Sequence, residues 1–167
     1  MKAVCIVPSA GKGRRLKQKH DKPFVKLGGK PILWHTLKAL ETSRLVDEVV
    51  LVVSPGKVKH ARGLIKKHGL KKVRSVVSGG RRRFDSVRNG LLKAKDADFV
   101  LIHDGVRPFV EDALIKRLLS AAKKFGAALP AIPSKQTLKC VNKNRFITKT
   151  PSRKFIWEAQ TPQVFKK

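Results

Sequence analysis

The sequence has no tyrosine, one methionine, two cysteines and 11 acidic residues against 39 lysines and arginines. Each scarcity excludes something. Cys5 and Cys140 stand far apart with no Cys-x-x-Cys, so neither a disulfide framework nor a thiolate metal site can be assembled, and both read as inert packing residues. No apolar stretch approaches the ~20 residues of a membrane span. The short run after Met1 is cut by Pro8 and glycines, too early for a secretory core. The expected setting is cytoplasmic, with no membrane partner. Few acids leave a formal charge of +28, a field that attracts polyanions of every kind. Specific nucleic-acid recognition also needs a reading element or stacking platform. Without tyrosine, with the eight phenylalanines mainly in apolar runs, the expectation is limited to salt-sensitive, non-specific nucleic-acid binding.

What is present is the patterning of an α/β protein. The 167 residues, 41% hydrophobic, suit a single domain spanning 1–167. Short apolar runs at 3–7, 49–53, 73–77, 99–102 and 127–132 read as buried strands. Between them, Ile32, Leu33, Leu37 and Leu40, then Val58, Ala61, Leu64 and Ile65, then Val87 and Leu91, then Leu114, Ile115, Leu118 and Leu119 recur at helical spacing. Alternating β and α predicts a doubly wound, mostly parallel sheet whose ligands bind beyond the carboxyl ends of the strands.

Three strand exits carry chemistry. The first is Pro8-Ser9-Ala10-Gly11-Lys12-Gly13-Arg14-Arg15, with Lys22-Pro23-Phe24 shortly after. Small residues let backbone N–H groups approach an anion, and Arg14, Arg15 and Lys22 add charge, so a nucleoside triphosphate is the expected tenant. It is not a P-loop, since no Gly-x-x-x-x-Gly-Lys-Ser/Thr string occurs, nor a dinucleotide fingerprint, since Leu16 replaces the third glycine. A glycine turn after a strand also occurs with no ligand at all. The second exit, Ser78-Gly79-Gly80-Arg81-Arg82-Arg83, opens a helix with cations that oppose its dipole. An anionic ligand explains that choice; solvated charge is the alternative for Arg81 and Arg82, while Arg83 and Ser86 lie one turn apart. The third is His103-Asp104-Gly105-Val106-Arg107-Pro108. A carboxylate ending a buried strand needs a cation or donors. Asp104 is the candidate Mg²⁺ ligand, because that ion is held by one or two carboxylates plus phosphates. A structural Asp104–Arg107 pair is the alternative, and His103 reads as a satisfied core histidine.

Beyond Pro130 the pattern changes to two alternating segments, 137–141 and 145–149, around Asn142-Lys143-Asn144. This predicts a projecting β-hairpin arm at about 134–155. An arm needs a surface on which to bury its apolar side, so a homodimer is expected.

These blocks, closed by Thr161-Pro162-Gln163-Val164-Phe165, resemble the 2-C-methyl-D-erythritol 4-phosphate cytidylyltransferases of non-mevalonate isoprenoid synthesis, over essentially the whole chain. The resemblance implies a Rossmann-like nucleotidyltransferase fold and transfer of CMP from CTP to methylerythritol phosphate, releasing pyrophosphate. It implies Arg15, Lys22 and Arg153 as catalytic residues. It also implies that Pro8, Ser9, Ala10, Gly11, Lys12, Gly13, Gly80, Arg83, Ser86, Asp104, Arg107 and Thr137 hold the substrates, with Asp104 on Mg²⁺. Thr137 and Arg153 match positions that hold the sugar phosphate across the dimer interface. Family members continue past Thr-Pro-Gln with a second metal-binding aspartate and a substrate-pairing lysine, so the chain reads as C-terminally shortened. The alternatives are a ribitol-5-phosphate cytidylyltransferase and an inactive basic relic binding RNA or other polyanions.

Overall fold

The computed structural model describes residues 1–11 and 22–167. Strand β1 (Ala3–Ser9) is buried almost throughout and runs parallel to β4 (Glu48–Val53) on one side and β6 (Phe99–Ile102) on the other. Its Val4, Ile6 and Val7 are the β-branched residues a doubly covered strand favours. Before β4 comes a small hairpin, β2 (Lys26–Leu27) and β3 (Lys30–Pro31). Its turn glycines, Gly28 and Gly29, have φ of 57° and 78°, as a two-residue turn of this hand requires.

Helix α1 (Ile32–Thr42) leads into β4, and α2 (Val58–Lys67) connects β4 to β5 (Val73–Ser78). Then α3 (Arg83–Leu91) returns the chain past β1 to β6, and α4 (Asp112–Phe125) follows. Two strands complete the sheet, β7 (Ala127–Ala128) and, antiparallel to both its neighbours, β12 (Gln163–Lys166), in the order β5-β4-β1-β6-β12-β7. The chain winds outward from β1 through β4 to β5, then resumes on the other side of β1 at β6. The switch point therefore falls between the carboxyl ends of β1 and β6, where open α/β sheets bind ligands.

Side chains divide between the two faces with the period of a strand. Cys5, Val7, Leu51, Val53 and Leu101 meet α1, α2 and α4 through Leu33, Leu37, Leu40, Ala61, Ile115 and Leu119. Val4, Ile6, Val50, Val52, Val100 and Ile102 face the other way, with Val87 of α3 packed against them. Gly90 of α3 rides directly on Ile6, so closely that a Cβ would strike its Cγ2.

Three expectations need correction. Residues 73–77 form β5, but none of them is buried, because β5 is the edge strand of the sheet. The apolar run 127–132 is not one strand. It divides at Leu129-Pro130 into β7 in the main sheet and β8 (Ala131–Pro133), which pairs with β11 (Trp157–Ala159). Pro130 has no N–H for a ladder, and its carbonyl instead accepts from Gln160 N at 2.8 Å. Cys140 is exposed, not packed, because it lies in the hairpin of β9 (Cys140–Val141) and β10 (Ile147–Lys149). Cys5 is buried, and burial alone pushes its thiol well above the usual range. The Asn142 side chain fixes the hairpin turn by accepting from Asn144 N and Phe146 N at 2.9 and 3.0 Å. Among the described residues, no helix is long and apolar enough to cross a membrane.

Candidate active site

The exits of β1, β5 and β6 converge on a cleft of about 340 Å³. Its walls are Pro8 to Gly11, Lys22 and Pro23, Gly80 to Arg83 with Ser86, and Asp104 to Val106. Lys12, Gly13 and Arg15 lie outside the described residues.

Two glycines bring the exits together. A Cβ on Gly79 would collide with Ala10 Cβ and lie 2.7 Å from Ser86 Oγ; one on Gly105 would strike the Ser9 hydroxyl and lie 3.2 Å from Leu33 Cδ1. Only a residue without a side chain permits this approach. Ser54 Oγ donates to Ala10 O at 3.2 Å, holding the first turn from behind. Ser86, buried on α3, accepts from Gly80 N at 3.2 Å and donates to Arg82 O at 3.3 Å.

The basic start of α3 is partly self-compensated. Arg82 NH2 lies 3.1 Å from Asp85 Oδ1, while Asp85 Oδ2 accepts from Arg82 N at 2.9 Å. These hydrogen bonds hold the Asp85 carboxyl below its usual range. Arg81, which composition leaves open as solvated charge, lines the cleft beside Arg82 and Arg83.

Among the described residues Asp104 is the one carboxylate on the cleft wall, and cations hold both its oxygens. Arg83 donates to Oδ1 at 3.1 Å and Arg107 Nε to Oδ2 at 3.2 Å. The Asp104–Arg107 pair considered from the sequence is therefore present, with Arg83 as a second partner. Arg107 stands behind Asp104, not on the cleft wall, and its NH1 also donates to Gln160 Oε1 at 2.6 Å.

His103 is buried, and its Nε2 lies 2.9 Å from Arg107 O. A carbonyl only accepts, so Nε2 carries the proton and Nδ1 accepts from Thr161 Oγ1 at 3.0 Å. Thr161 Oγ1 in turn accepts from Asp104 N at 3.3 Å. Burial lowers the His103 pKa, keeping the ring neutral. The histidine is thus the satisfied core residue the sequence suggests. The sequence assigned no role to Gln160 or Thr161; Thr161 opens the Thr161-Pro162-Gln163 string and Gln160 precedes it, but the string is silent about what they touch.

Thr137 and Arg153 are not in the cleft. Both are exposed, Thr137 on the arm and Arg153 in the 3-10 turn Arg153–Phe155 that follows it.

A divalent ion fits the chemistry of Asp104. Among the described residues no group of three His, Cys, Asp or Glu could enclose a metal. Asp104 is the hard carboxylate that would hold Mg²⁺ together with waters and ligand phosphates, provided the ion displaces an arginine from one of its oxygens.

Lys22, Arg81, Arg82 and Arg83 against Asp104 make the cleft net positive, at the switch point of a parallel sheet. Fold and site together define an α/β protein of the nucleotide-binding, Rossmann-like class.

The model of the family "IspD: 2-C-methyl-D-erythritol 4-phosphate cytidylyltransferase" matches residues 3–167. The protein of that name from Alkaliphilus metalliredigens is 44% identical over 167 residues, 99% of this chain and 69% of its own length. The one from Syntrophus aciditrophicus is 45% identical over 166 residues, 98% of this chain and 71% of its own. Among solved structures, the 4-diphosphocytidyl-2C-methyl-D-erythritol synthase of Anaerococcus prevotii superposes with a TM-score of 0.79 at 29% identity. It is matched over 99% of this chain and 71% of that one. The chain belongs to the IspD family of 2-C-methyl-D-erythritol 4-phosphate cytidylyltransferases.

Proposed function

We propose that this protein transfers CMP from CTP to 2-C-methyl-D-erythritol 4-phosphate, releasing pyrophosphate, in isoprenoid precursor synthesis, and that it works in the cytoplasm as a single catalytic domain with an arm. The observation that carries the reading is the cleft itself: a small-residue turn, four cations and one carboxylate at the sheet's switch point. Nothing in it favours ribitol 5-phosphate or an inactive relic.

A phosphate oxygen of methylerythritol phosphate attacks the α-phosphorus of CTP. A new P–O bond forms, the bond to the β-phosphate oxygen breaks, and pyrophosphate leaves with that electron pair. Nucleophile and electrophile are both anions, so the protein's task is to screen their repulsion and hold them in line. Lys22 on the cleft wall, with Arg15, binds the triphosphate and stabilises charge that grows on the α-phosphoryl and leaving groups. The backbone of residues 9 to 13 serves the phosphates and the base, with Ser9, Ala10 and Gly11 on the cleft wall. Gly80 and Ser86 border the base: with Ser86 Oγ already committed to Gly80 N, the glycine backbone is held in place as the wall of the base pocket. Arg83 and Arg107 hold the Asp104 carboxylate in place, the group that would meet the ribose and the metal. When Mg²⁺ is bound at Asp104, it neutralises phosphate charge.

The second substrate is held by Thr137 and Arg153 of a partner copy. Supporting this is the arm's isolation: every residue from 135 to 150 is exposed, including Val141, Phe146 and Ile147. Such a surface gains stability when a second chain covers it. A homodimer in which each arm completes the other's cleft accounts for both facts. Phosphorus NMR of a mixture of CTP, Mg²⁺ and methylerythritol phosphate tests the reaction. Paired signals of a diphosphate diester together with pyrophosphate are expected, and their absence would overturn the proposal.

A further inference from the structure

The outer edge of the sheet carries a second groove, of about 380 Å³, that the transfer reaction does not use. Strand β5 ends the sheet and is paired only with β4, so alternate backbone N–H and C=O groups of β5 face outward. Ser78 O is taken up by Asn89 Nδ2 at 2.9 Å, leaving 73–77 as the open stretch.

Arg62 and Lys66 of α2, Arg74 of β5 and Lys93 beyond α3 surround this stretch, and no carboxylate lines it. From 49 to 84 the chain has no Asp or Glu at all. None of the four cations takes part in an ion pair among the described residues. A charge on an edge strand is a common guard against unwanted pairing, and Arg74 alone would serve that purpose. Lys66, in the last turn of α2, also complements the helix dipole. Neither reason covers Arg62 and Lys93, which reach the open edge from helix-bearing faces on opposite sides of the sheet. Ile65, Val73, Val76 and Val77 supply apolar wall between the cations.

We infer that this edge is a docking site for an acidic, extended peptide segment of a partner protein, added to β5 as a further strand. An open ladder specifies extended backbone, the cations specify Glu or Asp, and the valines specify intervening apolar side chains. Five residues of ladder span about 17 Å, enough for a five- or six-residue segment. A nucleic acid fits less well, because no aromatic side chain lines the groove to stack a base.

The test uses the full chain and three labelled probes: an alternating Glu-Val hexapeptide, a Glu-Pro hexapeptide of equal charge, and a short oligothymidylate. The account expects the Glu-Val peptide to bind more tightly than the Glu-Pro peptide and to slow amide exchange within Val73–Val77. In the triple variant Arg62→Gln, Arg74→Gln, Lys93→Gln its affinity should fall roughly tenfold, as three exposed charge pairs imply. Equal binding of the two peptides without protection, or unchanged affinity in the triple variant, would reduce the edge to a diffuse positive field and overturn the inference. So would protection of the same amides by the oligothymidylate and not by the peptide, or no peptide binding at all.

Discussion

Around the cleft, Ser9, Ser86 and His103 are 4% exposed or less, and glycines let the strand exits touch. On the arm, by contrast, seven cations and no acid stand among wholly exposed neighbours between Lys135 and Lys154. The two regions are shaped by different forces. Packing inside one chain fixes the nucleotide end, where Ser86, Arg82, Arg83 and Asp104 are each held by a named partner. The arm keeps its shape through a short ladder and an Asn142 turn, but no hydrogen bond or ion pair among the described residues fixes the side chain of Thr137 or Arg153. One half of the proposed site is thus preorganised by the fold, and the other awaits a surface.

The sharpest way to break this contrast is to remove a cation from the preorganised half. Lys22→Ala, or Arg15→Ala, should lower kcat on the order of 10²- to 10³-fold, measured by steady-state pyrophosphate release, as loss of a donor to developing charge does. Arg153→Ala should act differently. It should raise KM for methylerythritol phosphate on the order of tenfold, the value of one charged hydrogen bond, while calorimetric CTP affinity stays at the wild-type level. If CTP affinity fell as well, the two halves would not be separable.

The parallel strands β1, β4, β5 and β6, the four helices, the arm's hairpin and the three chemically loaded exits were legible in the sequence because each rests on local pattern: β-branched runs, helical periodicity, or glycine beside charge. What stayed hidden was pairwise. The split at Pro130 depends on β12 and β11 arriving from far along the chain to claim its two sides. That Asp104 meets Arg83 as well as Arg107 depends on α3 packing over β1 and β4, so that its first residue reaches a carboxylate 21 residues away in sequence. The Thr161–His103 link joins residues 58 apart. Cys140 was misread because an alternating hairpin looks the same whether or not its own chain covers it.

Smaller effects test the packing side of the comparison. Gly105→Ala should cost about 1–3 kcal/mol in urea unfolding, the usual range for overpacking, since its Cβ has no room beside Ser9 and Leu33. CTP affinity should fall with it, whereas an alanine at Gly56, where a Cβ meets open space, should change little.

The smallest effect is acid-dependent. Asp112 accepts from the Ser43 hydroxyl and from Arg44 N at 3.0 Å, tying α4 to the end of α1, and the Ser43 hydrogen bond first, then Arg44 N, lower its pKa from 3.8. A carboxyl depressed in the folded state stabilises fully above its unfolded value and loses that contribution as pH falls through the folded one. Asp112→Ala should therefore be less stable than the wild type near neutrality, and the gap should close below about pH 3.8. A gap that persisted at lower pH would assign the loss to something other than the charge.

Complementation tests the central claim most directly. Lys22→Ala disables the cleft of its own chain, and Arg153→Ala disables the arm that serves the partner's cleft. If the site is shared as proposed, each purified variant is nearly inactive at low methylerythritol phosphate, and an equimolar mixture after subunit exchange regains about a quarter of wild-type activity, from mixed dimers with one intact site. A mixture no more active than the average of its two components would contradict a site completed by the partner's arm.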